Sequence, residues 1–150
     1  MYTLERTQFL PTDLDTAWNF FSMPHNLNKI TPEHMNFRII RSTVQHAIKE
    51  KDEIDYQVKP MFGISMRWKT LITDVNPPYL FVDKQLKGPY RYWEHTHRFT
   101  QTENGLLMHD NVEYDLPLGR FGRIFHPLIR KQLETIFDYR QYQLNRLFNG

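Results

Sequence analysis

Apolar and polar side chains alternate over the first ten residues, a pattern typical of a β-strand with one buried face. This pattern predicts a strand from Tyr2 to Leu10. Within it we expect Leu4 and Phe9 to face the interior, with the charged residues Glu5 and Arg6 between them. The chain is therefore expected to open on a strand of a larger sheet.

Two short helical segments are predicted after this strand. Thr12 or Asp13 is expected to cap the first of them, because either side chain can accept a hydrogen bond from a free backbone N–H. Its apolar side consists of Trp18, Phe20 and Phe21. Pro24 should end this helix, and Pro32 should limit a second helical turn.

Between residues 36 and 115 the alternation of apolar and polar positions continues in six further segments. They are Phe37–Arg41, Ile54–Lys59, Ile64–Thr73, Tyr79–Leu86, Tyr92–Thr102 and Leu106–Leu116. Turn residues separate the later segments, including the hairpin signal Glu103-Asn104-Gly105. Consecutive strands joined by short turns favour an antiparallel meander.

The chain ends in a predicted helix about 20 residues long. Its buried stripe recurs every three or four residues and consists of Ile129, Leu133, Ile136, Phe137, Arg140, Leu144 and Leu147. Pro127 is expected in the first helical turn, which leaves Leu116 to Phe125 as a separate loop or short helix. One helical stripe that covers one antiparallel sheet is the simplest architecture that buries both, so the fold class is α+β.

Composition narrows the function classes. The chain is 40% hydrophobic, 15% aromatic and 24% charged, with a formal charge of only +2. That small charge gives no reason to expect nucleic acid as a partner. The lack of cysteine excludes disulfides, thiolate zinc sites and cysteine nucleophiles. Apolar runs are too short for a membrane span and the opening residues lack the layout of a signal peptide, so we expect a cytoplasmic location.

Polar residues occupy one predicted inner face of three successive strands. Counting by two along those strands places six polar side chains on the face that should meet the helix: Asp83, Gln85, His95, His97, Asp110 and Tyr114. Such groups are costly to bury unless they are hydrogen-bonded. Arg140 falls on the buried stripe of the helix, so we expect it to pair with Asp83 or Asp110.

Three interpretations of this constellation stay open at the level of sequence. The imidazoles could bridge Asp83 and Asp110 in a structural network that fixes strand register. The polar groups could instead orient one end of a ligand in an apolar pocket. A third interpretation is a metal site, because His95 and His97 lie two apart on one strand and a carboxylate could complete the set.

Other chemistries find little support. No serine has the sequence context of a nucleophile elbow, and the six glycines form no phosphate-binding loop. Residues 119–131 mix basic and apolar side chains, a composition that suits either an anionic surface or a solvated basic face. A solvated basic face is favoured, because the whole chain is nearly neutral. Exposure of Tyr90 and Tyr92 beside this segment would favour a protein-interaction surface.

Two segments carry a family resemblance, Phe81–Phe99 and Met108–Tyr114. They contain the patterns F-x-D-x-Q, G-P, W-x-H-x-H-x-F and D-x-V-x-Y. On these motifs, and over essentially the whole chain, the sequence resembles a bacterial branch of the SRPBCC superfamily, which includes START domains, polyketide cyclases and birch-pollen allergens. The resemblance implies a helix-grip fold, with a seven-stranded curved antiparallel sheet around a long C-terminal helix and two short helices after the first strand. It also implies a cavity between sheet and helix.

We therefore expect one domain over residues 1–150 that binds a small, largely apolar molecule such as a lipid, an aromatic or a polyketide-like compound. One alternative is a cyclase or dehydratase that uses His95, His97, Asp83 or Asp110 as acid and base. Another is a protein-interaction module with a structural polar core. The expected ligand contacts are Tyr56, Trp68, Asp83, Gln85, Trp93, His95, His97, Phe99, Asp110, Tyr114, Ile136 and Arg140. We expect no metal, cofactor, nucleic acid or stable membrane insertion, and the sequence identifies no protein partner.

Overall fold

Seven strands form one antiparallel sheet in the computed structural model, which describes residues 1–149. The strands are β1 (Tyr2–Leu10), β2 (Arg38–Ser42), β3 (Glu53–Met61), β4 (Ile64–Asn76), β5 (Leu80–Lys87), β6 (Tyr92–Gln101) and β7 (Leu106–Asp115). Their order across the sheet is β1-β7-β6-β5-β4-β3-β2. Each strand from β2 to β6 pairs with the next one along the chain, and β1 pairs with β7. The predicted meander is confirmed.

The helical elements follow β1 and end the chain. Helix α1 (Leu14–Phe21) is capped by Asp13, whose carboxylate accepts a hydrogen bond of 2.8 Å from the backbone N–H of Thr16. Two 3₁₀ segments follow, Pro24–Ile30 and Glu33–Met35. Helix α2 (Arg120–Asn149) packs on one face of the sheet, so the predicted α+β, helix-grip architecture is confirmed. Among residues 1–149, no helix is long and apolar enough to cross a membrane.

The core between sheet and helix consists of two apolar clusters. One gathers around Trp68, Trp93 and Tyr114, and the other around Phe81 and Phe99. A row of buried and half-buried polar side chains on β5, β6 and β7 lies between them. Because α2 contributes Phe137 to the first cluster and Leu144 to the second, it spans that polar row.

The predicted burial of Phe9 is wrong. Its side chain is 46% exposed, whereas Gln8 and Leu10 on either side are buried. The alternation that begins at Leu4 continues without a break, so even-numbered residues face inward throughout β1. Gln8 tolerates burial because its amide nitrogen donates to the Gln141 carbonyl at 2.9 Å and to Asn145 Oδ1 at 3.1 Å.

Helix α2 begins earlier than predicted. Of the predicted loop or short helix from Leu116 to Phe125, only residues 116–119 form a turn, since the helix starts at Arg120 and contains Pro127. Proline removes one hydrogen bond to the carbonyl of Arg123, which lies on the exposed side of the helix. Gly122 packs so closely on the preceding segment that a β-carbon there would lie 2.3 Å from the Pro117 carbonyl oxygen. This close approach requires glycine and lets the helix start directly after β7.

The predicted inward position of Leu147 is also wrong. Leu144 is completely buried, but Leu147 is 47% exposed. Phe148 is half-buried instead and contacts the ring of Phe20, with 5.5 Å between ring centroids. The buried stripe therefore advances by four residues after Leu144, as the 3.6-residue period of a helix permits.

Replacing Leu144 and Leu147 tests this assignment of the helix faces. Leu144→Ala should lower the free energy of unfolding by about 2–5 kcal/mol, because it opens a cavity in a packed core. The matched change Leu147→Ala should lower it by less than about 0.5 kcal/mol, because that side chain faces outward. Urea denaturation followed by circular dichroism measures both. Equal losses would show that α2 is rotated from the position described.

Candidate functional site

Strands β5, β6 and β7 bring four ionisable side chains together on the inner face. Asp83 lies opposite His95 across the β5–β6 pair, and His97 lies opposite Asp110 across the β6–β7 pair. His95, His97 and Asp110 are buried and Asp83 is half-buried. Period-two counting predicts this placement because every one of these side chains shares the parity of its strand's apolar neighbours.

Two short hydrogen bonds connect the imidazoles to the carboxylates. His97 Nε2 lies 2.5 Å from Asp83 Oδ2, and His95 Nε2 lies 2.7 Å from Asp110 Oδ1. An ionised carboxylate only accepts hydrogen bonds, so both Nε2 atoms carry the proton. The two imidazole rings stack with 3.6 Å between centroids. Each histidine is thus held by one carboxylate and by the other ring.

Helix α2 adds Arg140 to this group. Arg140 Nη2 donates to Asp110 Oδ1 at 3.3 Å, which confirms one of the two expected partners. The guanidinium lies over the rings of Phe21 and Phe137, at 5.6 and 5.7 Å from their centroids. These five side chains are hereafter called the polar cluster: Asp83, His95, His97, Asp110 and Arg140.

Charge complementarity keeps both carboxyl groups ionised. Burial by itself would raise the pKa of Asp110, but the Arg140 guanidinium and the hydrogen bond from His95 outweigh it and hold that pKa well below its usual range. Burial would likewise raise the pKa of Asp83, yet the hydrogen bond from His97 and the nearby histidines lower it. The cluster therefore holds two negative charges at neutral pH.

His97 is neutral at neutral pH. Burial and the adjacent His95 lower its pKa to about 4, against the opposing effects of Asp83 and Asp110. The carboxylate of Asp83, by contrast, is ionised and only half-buried. An additional anion beside it would meet repulsion in a poorly solvated site.

A cavity of about 180 Å³ adjoins the polar cluster, between the sheet, α2 and the 3₁₀ segments. Four of the predicted ligand-binding residues have largely apolar side chains and lie in its wall: Tyr56, Trp68, Trp93 and Ile136. Four members of the polar cluster also lie there: Asp83, His95, His97 and Arg140. Eight of the twelve predicted residues thus surround one cavity, while their contact with a ligand stays a prediction.

The other four predicted contacts lie outside the cavity wall. Gln85 binds the backbone of Tyr90 through its amide, and Phe99 is packed in an apolar cluster. The hydroxyl of Tyr114 pairs with His126 Nε2 at 2.9 Å. Asp110 is outside the wall, so it acts on the cavity only by positioning His95 and Arg140 through hydrogen bonds.

Sequence reasoning missed the wall on the far side of the cavity. That wall comes largely from α1 and the segment that follows it: Phe21, Pro24, Leu27, Ile30, Met35 and Phe37. Irregular 3₁₀ segments have no strand or helix period, so their only signal was a run of apolar residues without an assigned partner. Tyr90, considered as a surface residue, is buried and lines the cavity.

Two buried donors in the cavity wall lack an acceptor. Within residues 1–149, neither the indole nitrogen of Trp68 nor Nε of Arg140 has a hydrogen-bond partner. Buried N–H groups are nearly always paired in proteins because an unpaired donor costs about 1–3 kcal/mol. Trp68 extends from β4 and Arg140 from α2, so the two donors belong to different walls of the same cavity.

The polar cluster is better arranged for hydrogen bonding than for holding a metal ion. Ligand atoms of Asp83, His95 and His97 lie within 4.8 Å of one another. However, an ion must lie near the plane of each imidazole that binds it, and these rings stack at 25° with 3.6 Å between centroids. Both Nε2 atoms are also protonated and committed to carboxylates.

The comparisons with known proteins give structural matches only. No family model matches the chain, and no curated protein matches it significantly. Major latex-like protein 151 from Panax ginseng superposes with a TM-score of 0.73 at 13% identity, over 99% of this chain and 98% of that one. The protein Ms6760 from Mycobacterium smegmatis superposes with a TM-score of 0.71 at 15% identity, over 98% of this chain and 90% of that one.

A third match is the di-domain ARO/CYC StfQ from the steffimycin biosynthetic pathway. It superposes with a TM-score of 0.71 at 13% identity and covers 98% of this chain, which spans 50% of StfQ. At such identities the likeness shows a shared fold, and a shared fold does not imply a shared reaction.

The depressed pKa of His97 predicts a loss of stability in mild acid. Between pH 6.5 and about 4 the unfolded chain binds a proton at this histidine and the folded chain does not. The free energy of unfolding should therefore be highest above pH 6.5 and fall by roughly 1.4 kcal/mol per pH unit below it, by about 3 kcal/mol in total. Urea titrations at closely spaced pH values measure this slope.

Two variants separate His97 from the other histidines. His97→Gln keeps a donor for Asp83 but cannot titrate, so its pH slope between 6.5 and 4.5 should be much flatter than that of the unmodified protein. His25→Gln alters an exposed histidine and should leave the slope unchanged. An identical slope in the His97→Gln protein would contradict the assignment of a neutral buried imidazole.

Proposed function

We propose that this chain, which has the helix-grip fold of the SRPBCC superfamily, binds a small, largely apolar molecule between the sheet and α2. The observation that carries the proposal is the cavity itself, whose aromatic and aliphatic wall has one polar end formed by the polar cluster. Apolar pockets with a few convergent polar groups are the usual form of small-molecule sites. The fold shared with StfQ and the major latex-like protein is compatible with this function.

The size of the cavity limits the ligand. An apolar cavity of about 150 Å³ is large enough to hold benzene. A volume of about 180 Å³ therefore suits one ring with small substituents. A larger ligand requires the wall formed by the 3₁₀ segments to move outward, which is feasible because that wall packs by side-chain contacts and lies outside the sheet.

The chemistry of the wall favours an uncharged ligand with oxygen acceptors. Trp68 and Arg140 each offer an N–H without a partner, so a carbonyl, ether or hydroxyl oxygen would satisfy them. A carboxylate is less suitable, because the charge of Arg140 is already paired with Asp110 and the ionised carboxylate of Asp83 also lies in the cavity wall. We infer that the ligand is a neutral ring compound with at least one carbonyl or hydroxyl group.

An enzymatic function is the second candidate, and one specific observation favours it. The His97–Asp83 pair lies in the cavity wall, where a bound substrate could reach it. A neutral imidazole held by a carboxylate is a common general base, and cyclases or dehydratases need proton transfer next to a carbonyl. In this alternative Arg140 would stabilise the developing oxyanion. Loss of turnover in His97→Gln with unchanged ligand affinity would identify it.

The interaction-module alternative required a collapsed interior, a condition that the cavity does not meet. Native mass spectrometry of the purified protein separates the remaining possibilities. A bound molecule of low mass supports ligand binding, and it identifies the compound to test for turnover. A protein that carries nothing and leaves a fluorescent apolar probe free in solution would refute the binding proposal.

Trp68→Phe tests the first of the two unpaired donors. It removes one N–H while it retains an aromatic ring, so the apolar wall is largely preserved. Affinity for a cyclic ketone should fall about fivefold, as expected for the loss of one hydrogen bond of about 1 kcal/mol. Affinity for the corresponding cyclic hydrocarbon should not fall. Isothermal titration calorimetry measures both, and equal losses for the two compounds would refute a donor role for Trp68.

Arg140→Lys tests the second donor and keeps the charge opposite Asp110. Lysine cannot reproduce the planar fork of the guanidinium. We expect affinity for the cyclic ketone to fall at least tenfold, while the free energy of unfolding changes by about 1 kcal/mol or less. Arg146→Lys, on the exposed side of the same helix, is the matched control and should change neither. A large loss of stability with unchanged affinity would show that Arg140 has only a structural role.

A further inference from the structure

We propose that one end of the molecule docks reversibly on an anionic lipid bilayer. This surface, hereafter the apolar end, comprises seven exposed apolar side chains: Phe62, Ile64, Leu118, Phe121, Ile124, Phe125 and Leu128. It is separate from the cavity, since none of the seven lies in the cavity wall. The proposal is therefore independent of the proposed ligand.

The order of the strands brings these residues to the same end of the fold. Strands β3 and β4 meet at a turn formed by Phe62 and Gly63. In an antiparallel sheet, alternate connections lie at alternate ends, so this turn and the end of β7 share one end. Helix α2 starts after a four-residue turn that follows β7, so its first turns lie at the same end of the sheet as the β3–β4 turn.

The exposed stripe on α2 is distinct from the stripe that packs on the sheet. Phe121, Ile124 and Leu128 recur at helical spacing and are 65%, 70% and 56% exposed. Gly122 and Ile129, on another side of the same turns, are buried. The first turns of α2 are thus apolar on two sides, and only one of them is covered by the protein.

Backbone conformation is a second, independent observation. Phe62 has φ of 54° and Leu118 has φ of 70°, in the left-handed region that bulky residues rarely adopt. Both side chains are exposed, and each is followed by a glycine with positive φ. Strain of this kind persists only where the surrounding structure holds it in place, and it clusters at functional sites. At both tips a large apolar side chain is held outward at the expense of local stability.

The charge around the apolar end identifies the partner. Between Asp115 and Glu134 the chain has four basic residues and no acidic one: Arg120, Arg123, Arg130 and Lys131. Between Asp55 and Asp74 it has three basic residues and no acidic one: Lys59, Arg67 and Lys69. Arg130 is paired with Glu134 and Lys69 with Glu53, so the other five supply the positive charge. Apolar side chains that insert between lipids, with cations beside them, fit an anionic membrane surface. A second copy of the chain would bring these cations against one another.

Vesicle co-sedimentation with the full chain tests the proposal. The protein should bind vesicles of phosphatidylcholine mixed with phosphatidylglycerol, and bind pure phosphatidylcholine vesicles at least tenfold more weakly. Raising the salt concentration from about 0.1 to 1 M should release it, because surface charges are then screened. The double variant Phe121→Ser/Ile124→Ser should reduce the partition coefficient on the mixed vesicles at least tenfold.

The control is Tyr79→Ser/Leu147→Ser, which removes exposed apolar side chains away from the apolar end and should bind like the unmodified protein. Arg120→Gln/Arg123→Gln keeps the apolar stripe and should weaken binding to the mixed vesicles only. Thermal unfolding of each variant verifies that it is folded. Equal binding by the Phe121→Ser/Ile124→Ser protein, or no binding by the unmodified protein, overturns the proposal. The proposal is also overturned if the Phe121→Ser/Ile124→Ser protein differs in the molecular mass measured by sedimentation but binds vesicles like the unmodified protein.

Discussion

The ion pair between Arg140 and Asp110 is the interaction on which the arrangement of sheet and helix depends. Either charge alone would be strongly destabilising in this interior, because an unpaired buried ion costs several kcal/mol. The pair is formed only when α2 lies across β7 with Arg140 facing the sheet. It therefore restricts both the rotation of the helix and its position along its axis, which the apolar clusters on either side restrict far less. In that one position of α2 along the sheet, Phe137 packs in the first apolar cluster and Leu144 in the second.

The same pair explains why a cavity lies beside the polar cluster. Asp110 anchors His95, whose ring stacks on His97, and His97 is held in turn by Asp83. The two imidazoles are held on the sheet by these bonds, and neither occupies the space between His97, Trp68 and α2. The remaining volume is enclosed by Trp68 and by the 3₁₀ segments. The polar network and the proposed ligand site are thus two properties of one arrangement, since the network also forms the polar end of the cavity.

Much of this arrangement was predictable because it depends on local periodicity. Alternation along β5, β6 and β7 places Asp83, His97 and Asp110 on one face whatever the rest of the chain does, and helical spacing turns Arg140 toward them. The errors occur where a period is ambiguous or absent. Hydrophobicity places Phe9 inward against the alternation of β1, and a three-residue step from Leu144 places Leu147 inward, whereas the helix buries Phe148 instead. The far wall of the cavity was not predictable, because 3₁₀ segments bury residues according to tertiary contacts that no local pattern records.

The unpaired donors of Trp68 and Arg140 connect stability to function. A protein optimised only for stability would pair or remove a buried N–H, since each unpaired one is destabilising. Retaining two of them in one cavity leaves the unliganded fold less stable than it would be with both donors paired. A ligand that supplies two acceptors recovers that difference on binding. Part of its affinity then comes from hydrogen bonds to the two unpaired donors rather than from new apolar contact. For that reason a compound that fills the cavity without oxygen atoms should stabilise the fold less than one of equal size that has them.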